Sequence, residues 1–317
     1  MWAYALRRIL VAIVLVWVVA TIVFSLLHLI PGDPAELLSS SGGVLPPPEA
    51  IAALRHEMGL DRPILVQYTS YLAGIFQGDL GKSFQDGYPV ASEIAKRLPR
   101  TLELILAATI LALAFGLPLG TMAARRQGGP LDRTLSAIVS LQLSMPVFVI
   151  GTLLILLFAQ TLHWVPAGGF VEFSKNPGRH LVHLSMPAFT IAVGLSAVVF
   201  RMTRTTVIET LDRDWVRTAR AKGLPRKQVM RKHVVRNALG PVATVVGLNV
   251  GTLLGSTVLI EYVFNWPGLS GFLVSAVEQR DYPAVQGIVL VISFLFILIN
   301  LGVDLLYSVL DPRIRHS

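Results

Sequence analysis

The chain has 317 residues, of which 53% are apolar and 15% charged, with a mean hydropathy of +0.64. Soluble domains carry about 25% charged residues, so an ordinary soluble enzyme is excluded. The absence of cysteine excludes a disulfide framework and thiolate chemistry. The net charge of +8 does not point to nucleic acid, because the basic residues are sorted along an apolar chain as membrane topology requires.

A bilayer core needs roughly 20 consecutive, mostly apolar residues per helix. Six stretches qualify: Ile9–Ile30, Thr101–Ala124, Leu135–Gln160, Leu184–Val207, Val242–Val263 and Ala284–Leu310. The expected fold is therefore an all-α membrane protein with six transmembrane helices. The first stretch is about 22 residues long, beyond the 7–15 of a signal-peptide core. Pro31-Gly32-Asp33-Pro34 follows it without a small-x-small cleavage site, so it reads as a retained helix.

Residues 31–98 read as a structured external cap. Pro46-Pro47-Pro48 opens a helical pattern over Glu49–Met58, and Gly59 is placed to stop it. Ile64, Leu65, Tyr68, Leu72 and Phe76 recur at near-helical spacing. A third helix begins at Pro89 and runs toward the second span. Gly78-Asp79-Leu80-Gly81-Lys82-Ser83 imitates a phosphate-binding loop, but that pattern needs Gly at position 76, where Phe76 stands, and no strand precedes it. No nucleotide site, metal-spaced His cluster or nucleophile elbow is visible, so no catalytic residue and no metal is expected.

The basic residues set the orientation. Arg7 and Arg8 precede the first span, Arg125, Arg126 and Arg133 follow the second, and Arg313 and Arg315 follow the sixth. The alternate short loops carry only Lys175 with Arg179, and Arg280. The positive-inside rule then places both termini in the cytoplasm. The largest block lies between spans four and five: Arg201, Arg204, Arg213, Arg217, Arg220, Lys222, Arg226, Lys227, Arg231, Lys232 and Arg236, against Glu209, Asp212 and Asp214.

Within that block Asp212 or Asp214 is suited to cap a short helix. Val216, Ala219 and Ala221 keep it slim, Gly223 ends it, and Pro225 suits the first turn of the next helix. That second helix would rise to Pro241, where span five begins. Two physical readings stand side by side: a slim helix that inserts into a groove of another protein, or a solvated basic loop beside anionic lipid.

The stretch resembles the cytoplasmic EAA loop of ABC importer permeases, with Ala219 and Gly223 in matching positions. Arg217 and Thr218 depart from the general pattern, as does His233-Val234-Val235-Arg236 downstream. Arg217-Thr218-Ala219-Arg220-Ala221-Lys222-Gly223, followed by Arg236-Asn237-Ala238 and Pro241, resembles instead the peptide/nickel branch. So do Pro31-Gly32-Asp33-Pro34, Gly59-Leu60-Asp61-Arg62-Pro63, Gly78-Asp79-Leu80-Gly81, Asn265-Trp266-Pro267-Gly268-Leu269, Arg280-Asp281-Tyr282-Pro283 and Asp311-Pro312-Arg313-Ile314-Arg315. As a set they cover nearly the whole chain and resemble the first membrane subunit of a dipeptide, oligopeptide or glutathione importer.

The resemblance implies a single transmembrane unit over 1–317: an N-terminus and first span (1–30), the cap (31–98), and a five-helix core (99–317) with a coupling loop at 208–240. It implies a bacterial inner-membrane protein. The implied partners are a second, homologous permease, two ATP-binding subunits and an extracytoplasmic solute-binding protein, besides membrane lipid. ATP and Mg would be held by the ATPase subunits, with no cofactor in this chain. Arg213, Asp214, Trp215, Val216, Arg217, Thr218, Ala219, Arg220, Ala221, Lys222 and Gly223 would form the coupling helix and turn.

Polar residues within spans are costly and mark candidate paths. Gln142, Ser144, Asn249, Ser256, Glu261 and Asn300 are the candidates for a substrate path. Ser144 and Ser256 equally suit bonds to their own helix backbone, and Asn249 and Asn300 suit interhelical contacts. Asp304 suits a pair with a basic residue, and His28 an interfacial structural role. Ser144-Met145-Pro146 and Ser185-Met186-Pro187 predict kinks in spans three and four. Two rival classes remain open. An ion-gradient transporter would want midplane acid or His relays, and a membrane-embedded enzyme would need a catalytic constellation.

Overall fold

The computed structural model describes residues 2–29, 47–57 and 59–310. The motifs Pro31-Gly32-Asp33-Pro34 and Asp311–Arg315, and the side chains of His28 and Asp304, lie outside the described residues. Among the described residues the regular structure is helical, apart from one isolated bridge between Lys82 and Pro89. In chain order come α1 (Trp2–Leu29), α2 (Pro48–Glu57), α3 (Ile64–Phe76), α4 (Val90–Arg125), α5 (Pro130–Ser144) and α6 (Val147–Leu154). A π-helical turn, Ile155–Thr161, prolongs α6. Then follow α7 (Pro177–Leu211), α8 (Asp214–Ala221) and α9 (Arg226–Gln228). A second π-helical turn, Val229–Val235, leads into α10 (Arg236–Ser256), and α11 (Val258–Val263), α12 (Leu269–Glu278) and α13 (Tyr282–Leu310) complete the chain.

The central pair is α4 and α7. They run in the same direction, since Glu103 meets His180 at one end while Gly116 meets Val199 and Gly120 meets Thr203 further along. A Cβ on Gly116 would lie 2.7 Å from that of Val199, and one on Gly120 would lie 2.8 Å from the Phe200 carbonyl. Only glycine permits this approach. The two backbones therefore meet by the small-x-x-x-small rule, which substitutes van der Waals contact for the hydrophobic force that lipid cannot supply. Leu104, Ala108 and Ala112 of α4, with Ile191, Leu195 and Val199 of α7, form the core onto which α10 adds Val242 and Val246.

Two predicted spans differ from the structure. Among the described residues five helices are singly long and apolar enough to cross a membrane, and six spans result only if α5 and the α6 segment count as one. These two are bent by 102° at Met145-Pro146. Pro146 has no N–H to give and holds Met145 extended, at φ −97° and ψ 131°. The matching Pro187 lies inside an unbroken α7, where both Met186 and Pro187 are buried.

The fifth span is also displaced. Its helix starts at Arg226, passes through Pro241 and stops at Ser256. The apolar run continues to Val263 because Ile260, Phe264 and Trp266 are buried in protein, not in lipid. Apolarity reports burial and does not identify the solvent that is avoided.

The cap is helical where expected: α2 and α3 agree with the pattern, and Gly59 adopts φ +68°. α3 lies on α1 through a 2.7 Å hydrogen bond between the Tyr68 and Thr21 hydroxyls and an edge contact of Tyr68 with Phe24.

Candidate functional site

The basic end of the bundle is built around α8. Its N-cap is Arg213, extended at φ −70° and ψ 142°, without a side-chain cap. Neither Asp212 nor Asp214 serves as the expected cap. Asp214 is the first helical residue, where its charge still favours the positive end of the helix dipole. Gly223 adopts φ +77°, the left-handed conformation that ends the helix, and donates its N–H to Arg220. Pro225 stands one residue outside α9, as its N-cap.

Period 3.6 divides α8 into two faces. Val216 and Ala219 are buried, packed with Ala124 of α4, Val207 of α7, Val229 and Val234 of the π turn, and Ala238 of α10. Arg213, Asp214, Trp215, Arg217, Thr218, Arg220, Ala221, Lys222 and Gly223 are exposed. Trp215, 42% exposed, rests beside the His233 ring at 6.4 Å between centroids. The Arg217–Asp214 pair at 3.7 Å joins side chains that are 70% and 97% exposed, so it adds little stability. The helix is thus held by two small apolar anchors and presents an otherwise polar face with one large aromatic.

A bidentate ion pair fixes the neighbouring loop. Arg204 Nε and Nη2 donate to Asp132 Oδ1 and Oδ2 at 2.6 and 2.8 Å, and Gly128 N–H donates to the same carboxylate at 2.8 Å. Asp132 is buried. The sequence offers no partner for Arg204 within the basic block; a separation of 72 positions along the chain leaves no local signal.

The six path candidates fall in three separate places. Gln142 is half-buried at the break after α5, where it lines a cavity, and Ser144 donates to the Ser140 carbonyl of its own helix. Asn249 donates to Val245 on α10. Asn300 of α13 faces Gly251 of α10, and its Oδ1 is buried without a partner among the described residues. Ser256 is exposed as the last residue of α10.

Glu261 lies at the opposite end of the bundle from α8 and is buried. Its Oε1 accepts from Thr101 Oγ1 at 2.6 Å, and its Oε2 accepts from Ser270 and Gly271 N–H at 2.9 and 3.0 Å. Leu269 N–H donates to Thr101 Oγ1 at 2.8 Å. Glu261 and Thr101 together satisfy the first three N–H groups of α12, a capping role supplied from another segment.

The false phosphate loop is likewise structural. Asp79 Oδ1 accepts from Gly81 N–H, and Ser83 Oγ donates to buried Asp281 at 2.5 Å.

Comparison with known proteins agrees with this architecture. The family described as the binding-protein-dependent transport system inner membrane component matches residues 116–316, and its N-terminal counterpart matches residues 1–105. The dipeptide transport system permease protein DppB of Escherichia coli (strain K12) is 40% identical over the full length of both chains. The glutathione transport system permease protein GsiC of Salmonella choleraesuis is 40% identical over 99% of each. Among solved structures, the inward-facing MetNI methionine ABC transporter superposes with a TM-score of 0.59, at 18% identity, over 69% of this chain and 96% of that one. Full-length identity to permeases and a shared helical core lead to one conclusion: the chain belongs to the binding-protein-dependent transport system inner membrane component family, the membrane permeases of ABC importers.

Proposed function

We propose that this chain is one of two permease halves of a peptide importer in the bacterial inner membrane, with both termini cytoplasmic. Two ATP-hydrolysing subunits drive it, and an extracytoplasmic binding protein delivers the solute. The observation that carries the reading is α8: Val216 and Ala219 fasten it to the ends of α4, α7 and α10, while Trp215, Arg217, Arg220 and Lys222 face outward. A short helix so placed transmits force by contact and needs no catalytic group. ATP and Mg belong to the ATPase subunits in this reading.

Peptides are favoured as cargo by the dipeptide permease relative, and the equal identity to a glutathione permease keeps a modified tripeptide within the class. Nickel chelates and opines are the remaining cargoes of the branch that the motifs resemble. An ion-gradient transporter is disfavoured because the buried carboxylates among the described residues, Asp132, Glu261 and Asp281, are each engaged in structural hydrogen bonds.

The test is to purify the intact complex with its binding protein and measure which solutes stimulate ATP hydrolysis and enter proteoliposomes. Stimulation by di- or oligopeptides supports the proposal. Uptake driven by a proton gradient through this chain alone would overturn it.

A further inference from the structure

Span three is broken between Ser144 and Val147, and the break adjoins a cavity. Gln142 lies ten residues beyond Asp132 along α5, about 15 Å at 1.5 Å per residue. A hydrocarbon core is roughly 30 Å thick. With Asp132 and Arg204 marking the watery basic end, Gln142 and the break lie near the bilayer middle.

The break leaves polar backbone there. The carbonyl of Gln142 would be served by the N–H of residue 146 in a continuous helix, but Pro146 has none. The 102° bend carries Val147 and Phe148 away from the carbonyls of Leu143 and Ser144. Among the described residues no main-chain donor from outside α5 reaches these three carbonyls. Lipid cannot satisfy them. Irregular backbone at this depth persists only where it meets protein or lines a polar passage.

Beside the break, α4, α5 and α7 frame a half-open cavity of about 230 Å³. Phe115, Leu119, Phe189 and Val193 give it apolar walls, and Gln142 and Ser196 are its polar members. Ser196 Oγ is committed to the Val193 carbonyl. Gln142 keeps its carboxamide for another partner, since no described hydrogen bond uses it. An apolar pocket of side-chain size next to free backbone acceptors and one carboxamide matches the chemistry of a peptide, whose N–H groups and side chains alternate along the chain.

We propose that the break in span three is a transit site for the cargo: the carbonyls of Gln142, Leu143 and Ser144 and the Gln142 carboxamide take the peptide backbone, and the adjoining cavity takes one apolar side chain. The proposal rests on the peptide reading above and adds where, and by which side-chain class, the membrane subunit selects.

Two opposed variants test it in the reconstituted complex with its binding protein. Val193→Trp fills the cavity and Phe189→Ala widens it. Uptake of leucyl-leucine is compared with that of glycyl-glycine, whose side chains do not need the cavity. Val193→Trp is expected to lower the ratio about tenfold and Phe189→Ala to raise it several-fold. Peptide affinity of the binding protein is unchanged, because it is a separate chain. A ratio that stays within twofold of wild type in both variants overturns the proposal. Loss of the second permease from either complex, at normal levels of this chain, also overturns it, because the cavity would then be a subunit contact. Failure of the wild-type complex to take up any peptide would instead refute the peptide reading on which it rests.

Discussion

Replacing Glu261 by Ala should loosen the turn that opens α12. Three donors lose their acceptor at once: the Thr101 hydroxyl, the Ser270 N–H and the Gly271 N–H. A buried donor left unsatisfied costs about 1–3 kcal/mol, so the loss is about 3–6 kcal/mol once water refills part of the space. At about 1.4 kcal/mol per tenfold, amide exchange at Leu269–Gly271 in the purified complex should accelerate at least a hundredfold. Glu261→Gln keeps one oxygen for the two amides but turns an NH2 group toward Thr101. Only the Thr101 hydroxyl is then orphaned, for about 1–3 kcal/mol and a roughly tenfold effect. Exchange within threefold of wild type in Glu261→Ala would refute the capping role. A Glu261→Gln variant with normal exchange but lost uptake would return this carboxylate to the substrate path.

At the opposite end, Ala219→Asp sets an unpaired carboxylate among Val216, Val229 and Val234. It should uncouple ATP hydrolysis from uptake while the spans remain folded, as should Gly223→Asp; normal uptake at normal expression would end the docking assignment. Trp215→Ala with Arg217→Glu alters exposed side chains, so stability should stay within about 0.5 kcal/mol of wild type. Retention of the ATPase subunits during purification should nonetheless fall. Arg204→Ala strands the buried Asp132 carboxylate, a loss of about 3–5 kcal/mol, read as a lowered melting temperature of the complex. The double variant Asp132→Ala/Arg204→Ala should recover most of it, and failure to recover would mean that the pair does not act as a unit.

The long helices and the extent of α8 were legible because apolar length and helix start and stop signals are local properties; that Val216 and Ala219 would bury against this chain's own helices was not. Gly223 and the slim run Val216-Ala219 could be placed without contacts, since backbone handedness and side-chain volume are intrinsic to the residue. The end of span five was not legible. Ile260, Phe264 and Trp266 are as apolar as lipid-facing residues, and nothing local distinguishes a buried protein core from a membrane helix. Glu261 shows the same limit: an acid in an apolar stretch signals cost but not which donors repay it. Its donors are Thr101, 160 residues away, and the start of α12. The Gly116-x-x-x-Gly120 contact was available in the sequence as a small-residue spacing. The Asp132–Arg204 pair was not, because only the fold brings its members together.

The attachments of α8 bear on how force would pass through the proposed machine. Its anchors touch the ends of α4, α7 and α10 together, so a displacement of α8 acts on all three. α4 and α7 resist relative motion: glycine contacts join them toward the basic end and the Glu103–His180 bond joins them near the other, while the Asp132–Arg204 pair braces α7 against α5. α10 is joined to α8 differently, through the π-helical turn Val229–Val235, whose wider winding is less favourable than an α-helix and marks a place of easier rewinding. In this reading the compliant element lies at the base of α10. At its far end α10 stops at Ser256, and the chain passes within five residues to Glu261 and its donors. Movement of α8 should then be expressed as motion of α10 between a soft joint and a clamped turn, past the fixed α4–α7 pair. Deleting Lys232, an exposed residue of the π turn, would convert the turn toward α-helix. Uptake should fall while α8 stays docked and the ATPase subunits remain bound, and unchanged uptake would place the compliance elsewhere.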